Sequence, residues 1–275
     1  MTFSIVARSA DGTAVGVAVA SKFLGVGAAV PAALAEVGAV ATQSYANLAY
    51  RPQALALLGT GTKATETVRA LIAGDAGPVA HRQVGVVGMD GPGATFTGDQ
   101  CHPWAGGVAG DGYAIQGNML AGPEVVAAME AAWTKRAGEK IQYRLLAALQ
   151  AGDAAGGDRR GRQSAALYVV AKGMGYGGTS DVLADLRVDD HPEPAKELGR
   201  LLDLHTLYFE RPDPATLIPL TGEIADEVRT RLASAGHRDD DLNDALASWA
   251  GVENLEERLV ADNIDPKVLE ILRKA

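Results

Sequence analysis

The first apolar segments of the chain follow the period of a β-strand. Residues 3–8 and 14–20 are two such runs, and the Ser-Ala-Asp-Gly between them has the composition of a hairpin turn. In the second run, Val15, Val17 and Val19 point to one face, while the opposite face carries only alanine and glycine. Since both faces are apolar, we expect this strand to be covered on both sides, with a close neighbour against its small-residue face.

The same periodicities predict the order of the remaining elements in the first 210 residues. Further strands are predicted at 38–43, 82–90, 94–98, 164–173 and 181–189, and helices at 51–58, 63–73, 123–136, 140–151 and 194–209. The strands come in hairpins and do not alternate singly with helices, which favours antiparallel sheets. We therefore predict an α+β fold, a four-layer αββα sandwich of two mainly antiparallel sheets.

A change in composition marks a second domain. Residues 211–223 contain three prolines, which is typical of a linker, and three short helices are predicted beyond it, at 223–235, 242–250 and 266–273. Residues 190–275 hold 19 acidic and 10 basic residues, so they carry the whole net charge of -9. We predict one domain over residues 1–210 and a linker with a small all-α domain over 211–275.

Composition also excludes several classes of function. A net charge of -9 without a basic stripe argues against nucleic acid as a partner. The single cysteine, Cys101, allows no internal disulfide and indicates a reducing compartment. No segment has the length and apolarity of a membrane span or the pattern of a signal peptide, so we expect a cytoplasmic protein without a membrane partner. The oligomeric state, including a homo-oligomer, stays open.

Thr2 is the first candidate for chemistry. A threonine hydroxyl is a weak nucleophile until a base takes its proton. If Met1 is removed, the free α-amine of Thr2 is such a base, and its ordinary pKa of about 7.7–8.0 is close to working pH. A strand that begins at residue 3 would hold both groups in place, although many chains begin Met-Thr without catalytic meaning.

Seven segments, in order along the chain, resemble a bacterial family. They are "MTFSIVAR", "GVAVASKFLGVGAAVP", "GAVATQSYAN", "TGDQCHPWAG", "GYAIQGNMLAGPEVV", "GDAAGGDRRGRQSAALYVV" and "LRVDDHPEP". Together they resemble the family called domain of unknown function 1028. That family is placed among the N-terminal-nucleophile (Ntn) hydrolases, so the resemblance implies the αββα sandwich and raises the expectation that Thr2 is a nucleophile. The tail resembles a helical peptidoglycan-binding-like module of longer members.

Side-chain amides near strand ends are candidate partners of Thr2. Gln43 and Asn47 lie between a strand and the first long helix, where hydrolases of this superfamily often place oxyanion donors. Asn118 precedes another helix and could bond the α-amine or the substrate. For each of these amides, a local helix cap or turn is the alternative interpretation.

The Gly-rich segment "AGGDRRGRQSAALYVV" contains the remaining candidates. The resemblance implies that Asp158 and Ser164 help to position the terminal threonine, as an acidic residue and a serine do in proteasome-like relatives, although the six-residue spacing and the extra arginines depart from that pattern. Arg160 or Arg162 could hold a substrate carboxylate, or could form an ion-pair network with Asp158 in the loop. Lys22 could lower the pKa of the amine, with a solvated strand-end lysine as the alternative.

Other residues give weaker signals. Cys101 and His102 are adjacent, so on an extended segment they would point to opposite faces and would not pair; a small buried side chain is expected for Cys101. The histidines and aspartates show no metal-ligand spacing, and "DDDLND" fails the pattern of a calcium loop. We expect neither a metal nor another cofactor.

Two main hypotheses for function follow. The first is hydrolysis of an amide bond in a small peptide, an acylated amino acid or a cell-wall fragment, with Thr2 as nucleophile. The second is a protein that binds a small carboxylate-bearing ligand on the same scaffold without turnover. A scaffold that associates through the tail is a third interpretation.

Overall fold

The computed structural model describes residues 2–275. The chain divides into two compact units, the first ending at Leu201 and the second comprising Leu202–Ala275. The division falls inside one helix, α6 (Pro194–Phe209).

The larger sheet of the first unit has six antiparallel strands. They are β1 (Thr2–Arg8), β2 (Ala14–Ser21), β7 (Gly106–Gly110), β8 (Tyr113–Asn118), β9 (Ser164–Ala171) and β10 (Val182–Val188), in the spatial order β10-β9-β2-β1-β8-β7. The turn between β1 and β2 is the predicted one: Asp11 accepts the backbone N–H of Thr13 at 3.0 Å, and Gly12 takes a φ of 73° that favours glycine. β1 is therefore a central strand, and its first residue lies between the ends of β2 and β8.

The smaller sheet has four antiparallel strands. They are β3 (Pro31–Leu34), β4 (Gly38–Ser44), β5 (Arg82–Gly88) and β6 (Ala94–Thr97), in the order β3-β4-β5-β6. The helices of the unit, besides α6, are α1 (Val26–Ala29), α2 (Tyr50–Gly59), α3 (Ala64–Ala73), α4 (Glu124–Lys135) and α5 (Ile141–Ala154).

The two faces of β2 are buried against different partners. Val15, Val17 and Val19 belong to an apolar cluster that also contains Ala39 and Val87 of the smaller sheet. On the opposite face, a Cβ added to Gly16 would lie 3.0 Å from a methyl group of Leu145 on α5, so the small residue permits close approach of the helix. The predicted two-sided covering of this strand is confirmed.

A second apolar cluster joins the smaller sheet to α2 and α3. Val40, Val84 and Val86 of the sheet pack with Tyr50 and Leu58 of α2 and with neighbours on α3. Residues on one face of β4 and β5 thus meet these helices, while residues on the other face meet the larger sheet.

The second unit is a small helical module. It contains α7 (Gly222–Ser234), α8 (Leu242–Val252) and α9 (Pro266–Leu272), together with the two-residue strands β11 (Ile218–Pro219) and β12 (Asn263–Ile264). Its core includes Leu232, Trp249 and Leu269. Asp241 accepts backbone N–H groups at the start of α8, so the acidic segment caps this helix.

The predicted mixture of helices and antiparallel sheets, with a helical C-terminal region, is confirmed. The sequence patterns missed β3, β7 and β8 and the short α1. Among residues 2–275, none of the helices combines the length and the apolarity required to cross a bilayer.

Candidate functional site

The leading end of β1 lies where several strand ends meet. The Cα partner of Thr2 in β8 is Asn118, the last residue of that strand. The Thr2 hydroxyl lies 3.1 Å from the hydroxyl of Ser21, the last residue of β2. Only 6 % of Thr2 is exposed. The Thr2 hydroxyl is therefore buried at the end of the larger sheet, next to an uncharged hydrogen-bond partner.

Two side-chain amides hold the carbonyl oxygen of Thr2. Gln43, near the end of β4, donates from Nε2 at 3.2 Å, and Asn118 approaches with Nδ2 at 3.5 Å. Both amides also donate to Oε1 of Gln83 on β5, each at 2.8 Å. Gln83 thus links the larger sheet to the smaller one directly beside Thr2.

The orientation of each of these amides is fixed by its neighbours. Gln83 donates from Nε2 to the carbonyl of Gly117 at 2.7 Å, so its Oε1 must face Gln43 and Asn118. The Ser4 hydroxyl donates to Oε1 of Gln43 at 2.7 Å and accepts from Nε2 of Gln116 at 2.6 Å. We call this set, Ser4, Gln43, Gln83, Gln116 and Asn118, the amide network. Its members are all buried and none is ionised, so they stabilise one arrangement at low dielectric.

The amide network ends in one unpaired oxygen. Oε1 of Gln116 is buried and has no hydrogen-bond partner among the described residues. It faces Gly85 on β5, where an added Cβ would lie only 2.0 Å from it. Gly85 therefore provides the space that Gln116 occupies between the sheets.

The backbone turns sharply immediately after two members of the amide network. Ser44 follows Gln43 with a φ of 70°, and Met119 follows Asn118 with a φ of 53°. Such left-handed conformations cost a residue other than glycine about 1–2 kcal/mol. Strain of this kind is enriched at functional sites, and here it occurs at both strand ends beside Thr2.

A loop from the Gly-rich segment crosses the same end of the larger sheet. Asp158 accepts the backbone N–H of Lys22, just after β2, at 2.8 Å. The next residue, Arg159, donates its backbone N–H to the carbonyl of Met119, just after β8, at 3.3 Å. Since β1 lies between β2 and β8, this loop passes beyond the leading end of β1.

Comparison with protein families assigns the first unit. The model described as "Family of unknown function (DUF1028)" matches residues 2–198, which is well over half of the chain. The chain belongs to the DUF1028 family. A second model, described as "Putative peptidoglycan binding domain", matches residues 208–272.

A solved structure supports the assignment. The crystal structure of a DUF1028 protein from Silicibacter pomeroyi is 29 % identical to this chain, with a TM-score of 0.67. The match covers 82 % of this chain and 92 % of that one. No curated protein matches the chain.

Several predicted residues of this DUF1028 chain lie together. Thr2, Gln43 and Asn118 are in direct contact, as described above. The predicted removal of Met1 lies outside the described residues.

Asp158 and Ser164 lie next to this site but act on the backbone. Asp158 holds Lys22 N–H and the Arg160 guanidinium. The Ser164 hydroxyl donates to the carbonyl of Phe23 and accepts from the N–H of Val26 at 3.1 Å. Both residues therefore fix the segment that follows β2, immediately after Ser21.

The basic side chains named from the sequence have protein partners in this DUF1028 structure. Arg160 pairs with Asp158 at 3.1 Å and Arg162 with Asp153 at 2.7 Å. The hydrogen bond that Arg162 donates to the Asp153 carboxylate raises the pKa of Arg162. Lys22 donates from Nζ to the Arg162 carbonyl at 3.2 Å. These contacts fit the ion-pair interpretation of the loop.

Asn47 has contacts elsewhere. Its amide oxygen accepts the N–H of Ala49 at 3.1 Å, which matches the local-cap alternative. The Asn47 side chain also forms a hydrogen bond with Asp75. The pKa of the Asp75 carboxyl is well below its usual range, first because Arg82 donates a hydrogen bond to it and second because Tyr50 does. Asn47 therefore supports the loop before α2.

Neither a thiol site nor a metal site emerges from the described residues. Cys101 is buried, with its sulfur 3.3 Å from the carbonyl of Arg82. Across residues 2–275, no group of three or more histidine, cysteine, aspartate or glutamate side chains could hold a metal ion.

Sequence reasoning missed Ser21, Gln83 and Gln116. The available signal was a polar residue inside an apolar strand, as in "RQVGVVG" and "YAIQGN". A buried glutamine at such a position requires a partner on another strand.

Proposed function

We propose that this DUF1028 protein is an Ntn-type amidohydrolase with Thr2 as its N-terminal nucleophile. The observation that carries the proposal is the fixed position of Thr2. Its hydroxyl is within hydrogen-bond distance of the Ser21 hydroxyl, and its carbonyl faces the amide donors of Gln43 and Asn118. A two-sheet core with helices against the outer face of each sheet is the arrangement expected of that superfamily, which is consistent with the four-layer αββα interpretation.

The proposed reaction begins after removal of Met1. The α-amine of Thr2 takes the hydroxyl proton, and the oxygen adds to the carbonyl carbon of the substrate amide. The amine then gives the proton to the leaving nitrogen as the C–N bond breaks, which leaves an acyl ester on Thr2. Water hydrolyses that ester by the reverse sequence of proton transfers and restores the hydroxyl.

Asn118 is the proposed oxyanion donor. One N–H of its amide is committed to Gln83 at 2.8 Å, while the approach to the Thr2 carbonyl is long, at 3.5 Å. That second N–H can therefore shift to a developing negative charge at little cost. Asn118→Ala should lower kcat by about 10²–10³-fold if this role is correct.

The test of the proposal combines mass and activity. Intact-mass measurement should show a chain that starts at Thr2. Wild type and Thr2→Ser should hydrolyse members of a panel of dipeptides and acylated amino acids, whereas Thr2→Ala should lose at least about a thousandfold in kcat. Thr13→Ala, an exposed threonine in the first turn, is the matched control. Equal turnover by Thr2→Ala would reject the nucleophile.

A non-catalytic binding protein is the second candidate. Its support is the low exposure of Thr2, 6 %, since an attacking hydroxyl must meet its substrate. A native chain that retains Met1 completely, binds a carboxylate ligand and turns over no amide would favour this candidate.

For the helical module we propose binding of a cell-wall fragment, on the basis of the family description that matches residues 208–272. Co-sedimentation of the whole chain with purified peptidoglycan, with cellulose as a control polymer, tests it. Equal recovery on both polymers would reject specific binding.

A further inference from the structure

Arg159 differs from the other basic residues of the Gly-rich loop. The side chains of Arg160 and Arg162 are paired with Asp158 and Asp153. Arg159 is exposed, and within residues 2–275 its guanidinium has no hydrogen-bond or ion-pair partner. Its positive charge and its five donors are therefore available to a ligand.

The backbone fixes where Arg159 lies. Its N–H donates to the carbonyl of Met119, the residue after Asn118, and Asn118 is the Cα partner of Thr2. Neighbouring strands lie about 4.8 Å apart, so a side chain as long as arginine can reach the region in front of Thr2. The backbone of Arg159 therefore lies beside the end of β8, next to the leading end of β1.

Exposed apolar side chains follow the ends of β2 and β4. Phe23 follows the end of β2 and is 54 % exposed, and Tyr45 follows the end of β4 and is 53 % exposed. Leu24 and Leu48 are their exposed neighbours. Arg51 of α2 donates to the carbonyl of Ala28 in α1 at 2.8 Å, which links the helices that follow these two segments. We call Phe23, Leu24, Tyr45 and Leu48 the apolar lip.

The arrangement places Thr2 between a cation and an apolar surface. In the larger sheet β1 separates β2 from β8, so Phe23 and Arg159 flank the leading end of β1 from opposite sides. Ligand sites typically combine apolar walls with a few polar groups that fix orientation. A ligand that contacts both Arg159 and the apolar lip has an anionic group at one end and an apolar group at the other.

We propose that Arg159 binds the free carboxylate of the substrate and that the apolar lip binds its acyl chain. The substrate class is then the N-acyl amino acids with apolar acyl groups, in which the scissile amide lies between the two. This inference rests on the proposed function for the chemistry, but the binding it describes can be measured separately.

The test compares two matched probes, N-octanoyl-alanine and its uncharged carboxamide, N-octanoyl-alaninamide. Wild type should prefer the acid by about ten- to hundredfold in kcat/KM, as expected for a charge-assisted hydrogen bond. Arg159→Gln should lose that preference, because its kcat/KM for the acid should fall to about its kcat/KM for the carboxamide. Arg136→Gln, an exposed arginine paired with Glu139 at the end of α4, is the control and should keep the preference. An unchanged preference in Arg159→Gln overturns the inference.

Calorimetric titration with N-octanoyl-alanine separates this inference from the proposed function. If wild type turns over neither probe but binds the acid, and Arg159→Gln weakens that binding at least about tenfold, catalysis is rejected and the carboxylate site stands. If wild type neither binds nor hydrolyses N-octanoyl-alanine, the carboxylate site is rejected. It is also rejected if wild type and Arg159→Gln bind N-octanoyl-alanine equally. N-acetyl-alanine, which lacks the long chain, should bind more weakly than N-octanoyl-alanine if the apolar lip contributes.

Discussion

Replacing Gln83 by leucine tests the amide network most directly. The change keeps the approximate volume but removes an oxygen that accepts from Gln43 and Asn118, each at 2.8 Å, and a donor to the Gly117 carbonyl. A buried donor left without a partner costs about 1–3 kcal/mol. Gln43 keeps its hydrogen bond to the Thr2 carbonyl at 3.2 Å, so the free-energy cost of losing its bond to Gln83 is at the low end of that range. We expect destabilisation of about 2–4 kcal/mol.

The measurement is scanning calorimetry of the whole chain, following the transition of the first unit. For a unit of about 200 residues, 1 kcal/mol corresponds to about 2–4 °C, so Tm should fall by about 5–15 °C. Gln150→Leu is the control, because Gln150 is exposed and makes a single bond, to the Ala195 carbonyl at 3.1 Å. A fall in Tm no larger for Gln83→Leu than for Gln150→Leu would refute the reasoning.

Two further predictions concern packing and charge. Gly85→Ala should destabilise the first unit by about 1–3 kcal/mol, because its Cβ would overlap Oε1 of Gln116; denaturant unfolding measures this, and a neutral effect would mean that Gln116 moves freely. Bonds from Arg273 and then Arg231 lower the pKa of Glu227 to about 2. Because the pKa of Glu227 is depressed in the folded state, its stabilisation is present above the unfolded pKa of about 4.3 and is lost as pH falls towards 2. The difference in Tm between wild type and Glu227→Gln should therefore shrink over this pH window. A constant difference in Tm would contradict the prediction.

Much of the fold follows from local patterns. The alternation of Val15, Val17 and Val19 with small residues predicts a strand with two different neighbours, and the structure provides both. The three C-terminal helices begin and end within one or two residues of the predicted positions. In these segments, local propensity and burial favour the same structure.

The site is less accessible to sequence reasoning because its contacts join distant strands. The bond from Lys22 to Asp158 spans 136 residues, and the pairing of Gln116 with Ser4 spans 112. β8 was missed because Gln116 and Asn118 interrupt its apolar run, although both are buried. Their partners depend on the register of β1 against β8 and on the packing of the two sheets, which a single sequence does not specify.

Within residues 2–275, the side chains that form hydrogen bonds with Thr2 are one hydroxyl and two amides, those of Ser21, Gln43 and Asn118. None of these groups gains or loses a proton across the range in which enzymes are usually assayed. The immediate surroundings of the nucleophile should therefore keep one geometry from mildly acidic to mildly alkaline solution. Under the proposed mechanism, an acid limb in the rate profile of a neutral substrate would then report the titration of the Thr2 amine and not of these three side chains.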